Sequence, residues 1–354
     1  MTFDGPERRD GLQRVGPPSG SQGGAGRRSQ PPAYAALDLG TNNCRLLVAR
    51  PAGENFRVID SFSRIIRFGE GIAETGEISE AAIERALACL RICAGKLRRW
   101  RVRHGRFVAT EACRRARNCD AFIERAYAET GIRLETIDAT EEARLAARGC
   151  GPLLTARRDY GIVFDIGGGS TEVIWLGARR GGGLKVLDTV SIPMGVVTAA
   201  DWLAGREISR ELYDCLKAEA QGPLAQFCSK NGIAARVARG EVQMLGASGT
   251  VTTVAGIHKK LIRYRRDLVD GTVLRFPEID AVTRGLFEVG PDGRKANPCI
   301  GPERAELVLP GCAILDAIRE QWPVGQLRVA DRGVREGILL SLMFASRQAH
   351  GRPH

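Results

Sequence analysis

No stretch of the 354-residue sequence approaches 18 uncharged apolar residues, and the N-terminus lacks a basic start followed by an apolar run and a cleavage site. Neither a membrane span nor a secretory leader is expected, and the cytoplasm is the expected compartment. The ten cysteines (Cys44, Cys89, Cys93, Cys113, Cys119, Cys150, Cys215, Cys228, Cys299 and Cys312) show no paired spacing and no C-x-x-C. That argues against structural zinc and leaves reduced thiols filling a core as the expectation. Only four histidines occur, and His104 and His258 have no partner at ligand spacing. Aromatic residues make up 6%, with no basic stretch interleaved with stacking rings, which speaks against single-stranded nucleic acid. Positive charge is in excess: 52 Lys and Arg against 41 Asp and Glu give a net +11. Anionic partners follow, and a polyanion without bases fits best.

With 44% hydrophobic residues the chain can bury two cores and is too long for a comfortable single one. Residues 1–32 are rich in Gly, Pro, Ser, Gln and Arg and are expected as a disordered tail. Domains are expected over 33–155 and 156–345, the last helix being free to pack back on the first domain, with a flexible end over 346–354. A strand at 34–37, a turn at 38–43 and a strand at 45–50 lead β-like sequence to about residue 68. A helix opens after Ser79, a good N-cap, with Ile83, Leu87, Leu90, Ala94 and Leu97 at helical spacing. A strand at 107–109, a helix capped by Asn118, a strand at 134–137 and a helix opening near Thr140 follow, the alternation of an α/β domain.

An apolar strand at 161–164 then ends in Asp165, and a glycine turn leads to a strand at 173–176. The first hairpin has been repeated: Asp165-Ile166-Gly167 stands 127 positions (165 − 38) beyond Asp38-Leu39-Gly40. A period this long fits duplicated domains rather than a solenoid. Helical sequence dominates the rest, at about 197–204, 207–220, 250–260, 278–286, 302–320 and 332–347.

The repeated loops carry the chemistry. Asp165 and Glu172 bracket Gly167, Gly168, Gly169, Ser170 and Thr171. Glycines let backbone N–H groups approach a phosphate, the hydroxyls add donors, and the carboxylates offer hard oxygen ligands to Mg²⁺. The first loop has the same grammar in Asp38, Gly40, Thr41 and Asn42, with Arg45 in reach of an anion. A third element, Gly246-Ala247-Ser248-Gly249-Thr250, follows an apolar strand and opens a helix, so its amides are either an anion site or an ordinary strand-to-helix turn. Arg114, Arg115 and Arg117 read by default as a solvated charge run. Glu142, beside Glu141 in a helix's first turn, reads on the local pattern as favourable pairing with the helix dipole.

Six blocks together resemble the Ppx/GppA phosphatases, in that family's order. They are residues 38–47, Ala109-Thr110-Glu111-Ala112 with Arg114, Arg115, Arg117 and Asn118, Glu141-Glu142-Ala143-Arg144, residues 165–172, residues 246–253, and Asp331-Arg332-Gly333-Val334-Arg335-Glu336-Gly337. The resemblance spans about residues 33–345. It implies the α/β fold of the actin-like ATPase superfamily: duplicated ribonuclease H-like domains with an active-site cleft between them. It implies Glu142 as general base for water, Asp165 and Glu172 as catalytic acids, and Mg²⁺ (or Mn²⁺) held by Asp165, Glu172 and Asp38. Phosphate would be bound by Asp38, Gly40, Thr41, Asn42, Arg45, Arg115, Gly167, Gly168, Gly169, Ser170, Thr171, Ser248, Gly249 and Thr250. Arg332 joins that set, with Arg335 as the alternative in its block. A homodimer is implied as well.

The expected activity is exopolyphosphatase, releasing orthophosphate from inorganic polyphosphate, with a guanosine pentaphosphate (pppGpp) 5′-phosphohydrolase as runner-up. A regulator that binds polyphosphate or alarmone without turnover is the alternative of another class. A sugar or acetate kinase is disfavoured, because the E-E-A-R and D-R-G-V-R-E-G blocks belong to the phosphatases. No specific nucleic acid and no membrane is expected as a partner. Departures from the family pattern are Thr41 and Asn43 where serines are common, Cys44 where a hydrophobic residue is usual, and Glu306 where Asp is frequent. Long relatives continue into a further helical region, whereas this sequence stops at His354, so short chains are the expected substrate.

Overall fold

The computed structural model of the chain describes residues 13–14, 31–53, 55–155, 157–178 and 184–350. They fall into two compact units, one of Ala139–Gly333, the other of the described part of Pro6–Asp138 with Val334–His354.

In the unit that opens the chain, β1 (Tyr34–Leu39), β2 (Asn43–Ala52) and β3 (Asn55–Ile65) form an antiparallel meander, and β4 (His104–Ala109) pairs in parallel with β1. The short strand Glu135–Thr136 extends β4 in parallel. β1 is buried at nearly every position, as a central strand covered on both faces must be. Helix α1 (Glu80–Arg99) lays Ile83, Leu87, Leu90 and Leu97 into the core with Leu37, Leu46, Phe68 and Phe107. Ser79 caps it, its side chain accepting from the Ala82 amide at 3.3 Å. The C-terminal helix Val334–His350 packs on β1 and β2 of this unit. It therefore runs through residues 346–350, where a flexible end was expected, and residues 351–354 lie outside the described residues. Of the tail expected over 1–32, Gln13–Arg14 pairs antiparallel with His104 and Gly105, and nearly all the rest lies outside the described residues.

Two local expectations change here. Asn118 stands at the N-cap of α3 (Cys119–Thr130) but makes no side-chain cap. Its amide instead clamps the Ile78 peptide, Oδ1 accepting from the Ile78 N–H and Nδ2 donating to its carbonyl, both at 2.9 Å. The distant peptide satisfies donor and acceptor together, which a cap cannot. Cys113 and Cys119, expected as reduced thiols, are joined in a disulfide across a Cα–Cα distance of 5.3 Å. The bend between helix α2 (Glu111–Arg115) and α3 brings them together, a juxtaposition that spacing alone did not announce. Cys44, Cys89 and Cys93 are buried free thiols of the core.

The second unit opens with helix α4 (Ala139–Cys150), which packs on the hairpin that follows it. β5 (Tyr160–Ile166), β6 (Thr171–Ala178) and β7 (Leu184–Ile192) repeat the antiparallel meander, and β8 (Val242–Gly246) pairs in parallel with β5. Two short strands, β9 (Val273–Arg275) and β10 (Gln326–Val329), extend the sheet to the order β9-β10-β8-β5-β6-β7. The repeat extends to its irregularities: the register slips between Val48 and Ala49 against β3 and between Trp175 and Leu176 against β7, positions separated by the same 127 residues (175 − 48). Helices α5 (Val196–Trp202), α6 (Arg210–Asn231), α7 (Gly249–His258), α8 (Phe276–Glu288) and α9 (Val308–Gln321) complete the unit. Phe164, Leu224, Phe227, Ile314 and Trp322 belong to its core. No described helix is long and apolar enough to cross a membrane.

Removing the Asn118 clamp leaves a partly buried peptide unsatisfied at both ends. Asn118→Ala is expected to destabilise the protein by about 2 kcal/mol, read as a shift of the urea unfolding transition, whereas Asn118→Ser, sufficient for a helix cap, should not restore it.

Candidate active site

Both Asp residues sit inside strands, one residue before the loop. Asp38 is the ladder partner of Arg45, and Asp165 of Glu172, so in each hairpin the two side chains stand on one face of the sheet, directly opposite. The rows continue onto the third strand, Arg45 facing Ser63 and Glu172 facing Ser191. The hairpins thus present Asp–Arg–Ser and Asp–Glu–Ser rows that differ at the middle position. The first pair is attractive, the second a like-charge pair that is unfavourable unless a cation joins it.

The loops are built alike. Gly40 N–H donates to the Asn43 carbonyl and Gly167 N–H to the Ser170 carbonyl, each at 2.9 Å. The carbonyls at the loop tips are captured from outside. Thr41 O accepts from Gly69 N at 2.9 Å, and Asn42 O from Ile66 N and Arg67 N at 2.8 and 3.1 Å. Gly167 O accepts from Val196 N at 2.9 Å, and Gly168 O from Val197 N and Thr198 N at 2.8 and 3.3 Å. In the second loop the captors are amides of α5's first turn, groups that have no intrahelical acceptor. The Thr41, Asn42, Gly168 and Gly169 amides make no backbone hydrogen bond among the described residues, leaving successive N–H donors of the kind that cradle an anion.

Each loop is approached by a glycine that the sequence did not single out. A Cβ on Gly195 would lie 2.5 Å from the backbone of Gly167 and Gly168. A Cβ on Gly69 would collide with the Thr41 side chain, and one on Gly311 with the Thr250 side chain. Such contacts need no unusual dihedral; they need the absence of a methyl group.

Several expected donors are already engaged. Ser170 Oγ donates to Glu172 Oε1 at 2.6 Å, Ser191 Oγ donates to the same oxygen at 3.0 Å, and Thr171 Oγ1 donates to the Met194 carbonyl at 2.7 Å. The two serines fix the rotamer of a carboxylate that is 3% exposed. In the third element Ser248 is the N-cap of α7, its hydroxyl accepting from Val251 N at 3.1 Å, while the Gly249 and Thr250 amides head the helix. It is a strand-to-helix turn with an anion-compatible end.

Among the arginines, Arg114 pairs with Glu111 at 2.8 Å and donates to the Ile137 carbonyl, and Arg117 pairs with Glu77. Arg115 is exposed and makes no ion pair among the described residues. Arg332 is held by Asp270 through Nε at 2.8 Å and Nη2 at 2.7 Å, a two-pronged contact that occupies its guanidinium. Asp331 accepts from the Tyr264 hydroxyl at 2.7 Å. This network sets Gly333 beside Asp165, where its Cβ would be 3.8 Å from Oδ2. Arg335 acts on the first loop's carboxylate: burial raises the Asp38 pKa, Arg45 and Arg335 pull it down, and Glu336 pushes it up. The D-R-G-V-R-E-G block named both arginines but could not say which faces Asp270 and which acts on Asp38.

Glu142 lies half-buried in the first turn of α4, within the unit that holds Asp165 and Glu172. A sequence boundary at 155 would have grouped it with Asp38. Among the described residues no three His, Cys, Asp or Glu side chains form a ready-made metal cage. The adjacent Asp165 and Glu172 carboxylates still suit Mg²⁺, which takes hard oxygen ligands and characteristically keeps only one or two carboxylates beside substrate oxygens and water.

Comparison with known proteins places this geometry. The sequence profile of the Ppx/GppA phosphatase family matches residues 47–345. Over 318 residues the chain is 30% identical to the guanosine-5′-triphosphate,3′-diphosphate pyrophosphatase of Aliivibrio fischeri, covering 88% of this chain and 60% of that protein's length. The crystal structure of the Aquifex aeolicus member of the Ppx/GppA protein family is similar with a TM-score of 0.73 at 26% identity, covering 89% of this chain and 98% of that one. An exopolyphosphatase from Cytophaga hutchinsonii shares the fold with a TM-score of 0.79 at 22% identity, covering 88% and 98%. The duplicated meanders are those of the actin-like ATPase fold, and the chain belongs to the Ppx/GppA phosphatase family.

Proposed function

We propose that the chain hydrolyses the terminal phosphoanhydride bond of inorganic polyphosphate and releases orthophosphate. The observation that carries this reading is the second hairpin, where amides unpaired within the backbone crown an adjacent pair of carboxylates, in one unit with Glu142. A phosphate-accepting loop beside two carboxylates and a third acid is a hydrolytic arrangement rather than a simple anion grip.

In this mechanism the Gly168 and Gly169 amides hold equatorial oxygens of the terminal phosphoryl group. Glu142 accepts a proton from water as the water oxygen bonds to phosphorus and the P–O anhydride bond breaks, the leaving phosphate keeping the electron pair. Glu172, aligned by Ser170 and Ser191, and Asp165 would hold Mg²⁺ or Mn²⁺. The ion, when bound, neutralises charge on the transferring oxygens. In the first unit, Arg45 and Arg335 near Asp38, with the Thr41 and Asn42 amides, form a separate anion-holding element, and unpaired Arg115 is a further candidate.

The absence of an aromatic ring from residues 40–43, 167–170 and 246–253 supports a substrate without a base. Hydrolysis of pppGpp is the second reading, favoured by the name of the Aliivibrio fischeri relative. Phosphate release from polyphosphates of graded length, pppGpp and ATP, assayed side by side, separates them. Binding of either without release across metals and chain lengths would favour a regulator.

Three outcomes follow. Glu142→Gln should lower kcat for phosphate release by about 10²- to 10⁴-fold while leaving the melting temperature in place; undiminished release would remove Glu142 from the mechanism. Gly195→Ala, which drives a methyl into the second loop's backbone, should cost about 100-fold in kcat with the circular dichroism spectrum retained. For Asp38, a carboxyl raised by burial favours the protonated form in the folded state, so the cost to folding grows as pH rises from the ordinary value of 3.8 and is fully present above the raised pKa. Asp38→Asn should therefore raise the melting temperature near neutral pH, and the gain should shrink as pH falls toward the ordinary value of 3.8, where both folded and unfolded chains carry the proton.

A further inference from the structure

Helices α6, α8 and α9 line a pocket of about 280 Å³, open to solvent, in the unit of Ala139–Gly333, with none of the residues assigned to the hairpins in its wall and with Arg210 and Arg284 exposed at its mouth. Two helix faces build it. Arg210, Tyr213, Asp214 and Lys217 follow each other at helical spacing on α6, and Asp280, Thr283, Arg284 and Phe287 do so on α8. The rings of Tyr213 and Phe287 meet edge to face with centroids 5.4 Å apart and fix the two faces against each other.

The lining carries three cations and three carboxylates, and they do not pair one to one. Asp316, buried on α9, accepts from the Tyr213 hydroxyl at 2.6 Å and from Arg319 Nε at 2.7 Å. Asp280 pairs with Arg319 as well. Asp214 pairs with Lys217 at 3.3 Å, and Lys217 also reaches Glu320 at 3.1 Å. Every carboxylate of the lining therefore has a cation. Two cations of the lining have no carboxylate: Arg210 and Arg284 make no ion pair among the described residues. Arg210 is held in place without being neutralised, its guanidinium lying 4.5 Å from the centre of the Phe287 ring. Thr283 of the same face is 7% exposed, its hydroxyl turned to the buried Cys312 thiol.

We propose that this cavity binds a phosphate group, either free orthophosphate or the phosphate of a small phosphorylated molecule. The two guanidiniums supply several N–H donors to one pocket, which match the three or more oxygens of a phosphoryl anion better than the two of a carboxylate. The assignment rests on α6 and α8 alone and stands whether or not the hairpins hydrolyse polyphosphate.

The test is site-resolved. The full-length protein is treated with phenylglyoxal, with and without inorganic phosphate at constant ionic strength set with chloride, and modification of each arginine is read by peptide mass spectrometry. Arg210 and Arg284 should be protected together several-fold, while exposed Arg263 reacts unchanged. In Arg284→Gln the protection of Arg210 should be lost. Adenosine monophosphate protecting at lower concentration than orthophosphate would assign a phosphorylated organic ligand, and orthophosphate protecting equally or better would assign the free anion. Equal reactivity of Arg210 and Arg284 with and without phosphate, equal protection by acetate, or persistence of Arg210 protection in Arg284→Gln would each overturn the proposal.

Discussion

The geometry of each hairpin depends on the capture of its loop carbonyls from outside. A peptide is a rigid dipole, so fixing the direction of C=O fixes the N–H of the same plane in the opposite direction. Once the carbonyls of 41–42 and 167–168 are bound by amides of other segments, the N–H groups of the same peptide planes, those of 42–43 and 168–169, have no freedom to turn away from the space they face. Everything placed around these loops serves that capture: Gly195 and Gly69 make the approach close enough, and α5 contributes donors that a helix cannot use internally. Segment 66–69 achieves the same end in another way. Arg67 takes a left-handed conformation at φ 46°, so that two consecutive amides reach one carbonyl, and Arg85 donates to the carbonyls of both Ile66 and Arg67.

Much of the fold was legible because the strong signals were periodic or repeated. The 127-residue recurrence of Asp-x-Gly announced two related sheets, and the register of both hairpins and even their bulges keep that offset. Ser79 and the apolar stripe after it gave α1. What the sequence did not disclose was settled by contacts remote along the chain. β9 and β10 are three and four residues long, too short for alternation to register, and exist because β8 offers an edge to pair. α6 continues through Pro223 to Asn231, beyond the expected end near 220, because Leu224, Phe227 and Cys228 bury against the core.

The site divides in the same way. Residue types and loop positions could be read, but the direction of each hydrogen bond could not. Ser170 and Thr171 look like anion donors in a linear motif, yet their protons go to Glu172 and Met194. Arg332 and Arg335 are indistinguishable in sequence, and it takes the fold to show that Arg332 pairs with an aspartate sixty-two positions upstream (332 − 270) while Arg335 acts on Asp38. Arg114 and Arg117 are likewise engaged, which leaves Arg115 as the available cation of its block. The glycines that approach the loops sit outside every motif because their contribution is an empty volume.

Position 45 and its counterpart 172 separate two otherwise parallel hairpins. With Arg45 in the row, the ladder carries its own counter-charge. With Glu172 in the row, two carboxylates stand side by side, so an anion held there and a cation would be thermodynamically linked, each raising the affinity of the other by the same factor. A single exchange of charge sign in a duplicated ladder thus gives one hairpin a balanced row and the other a row that calls for a counter-charge from outside.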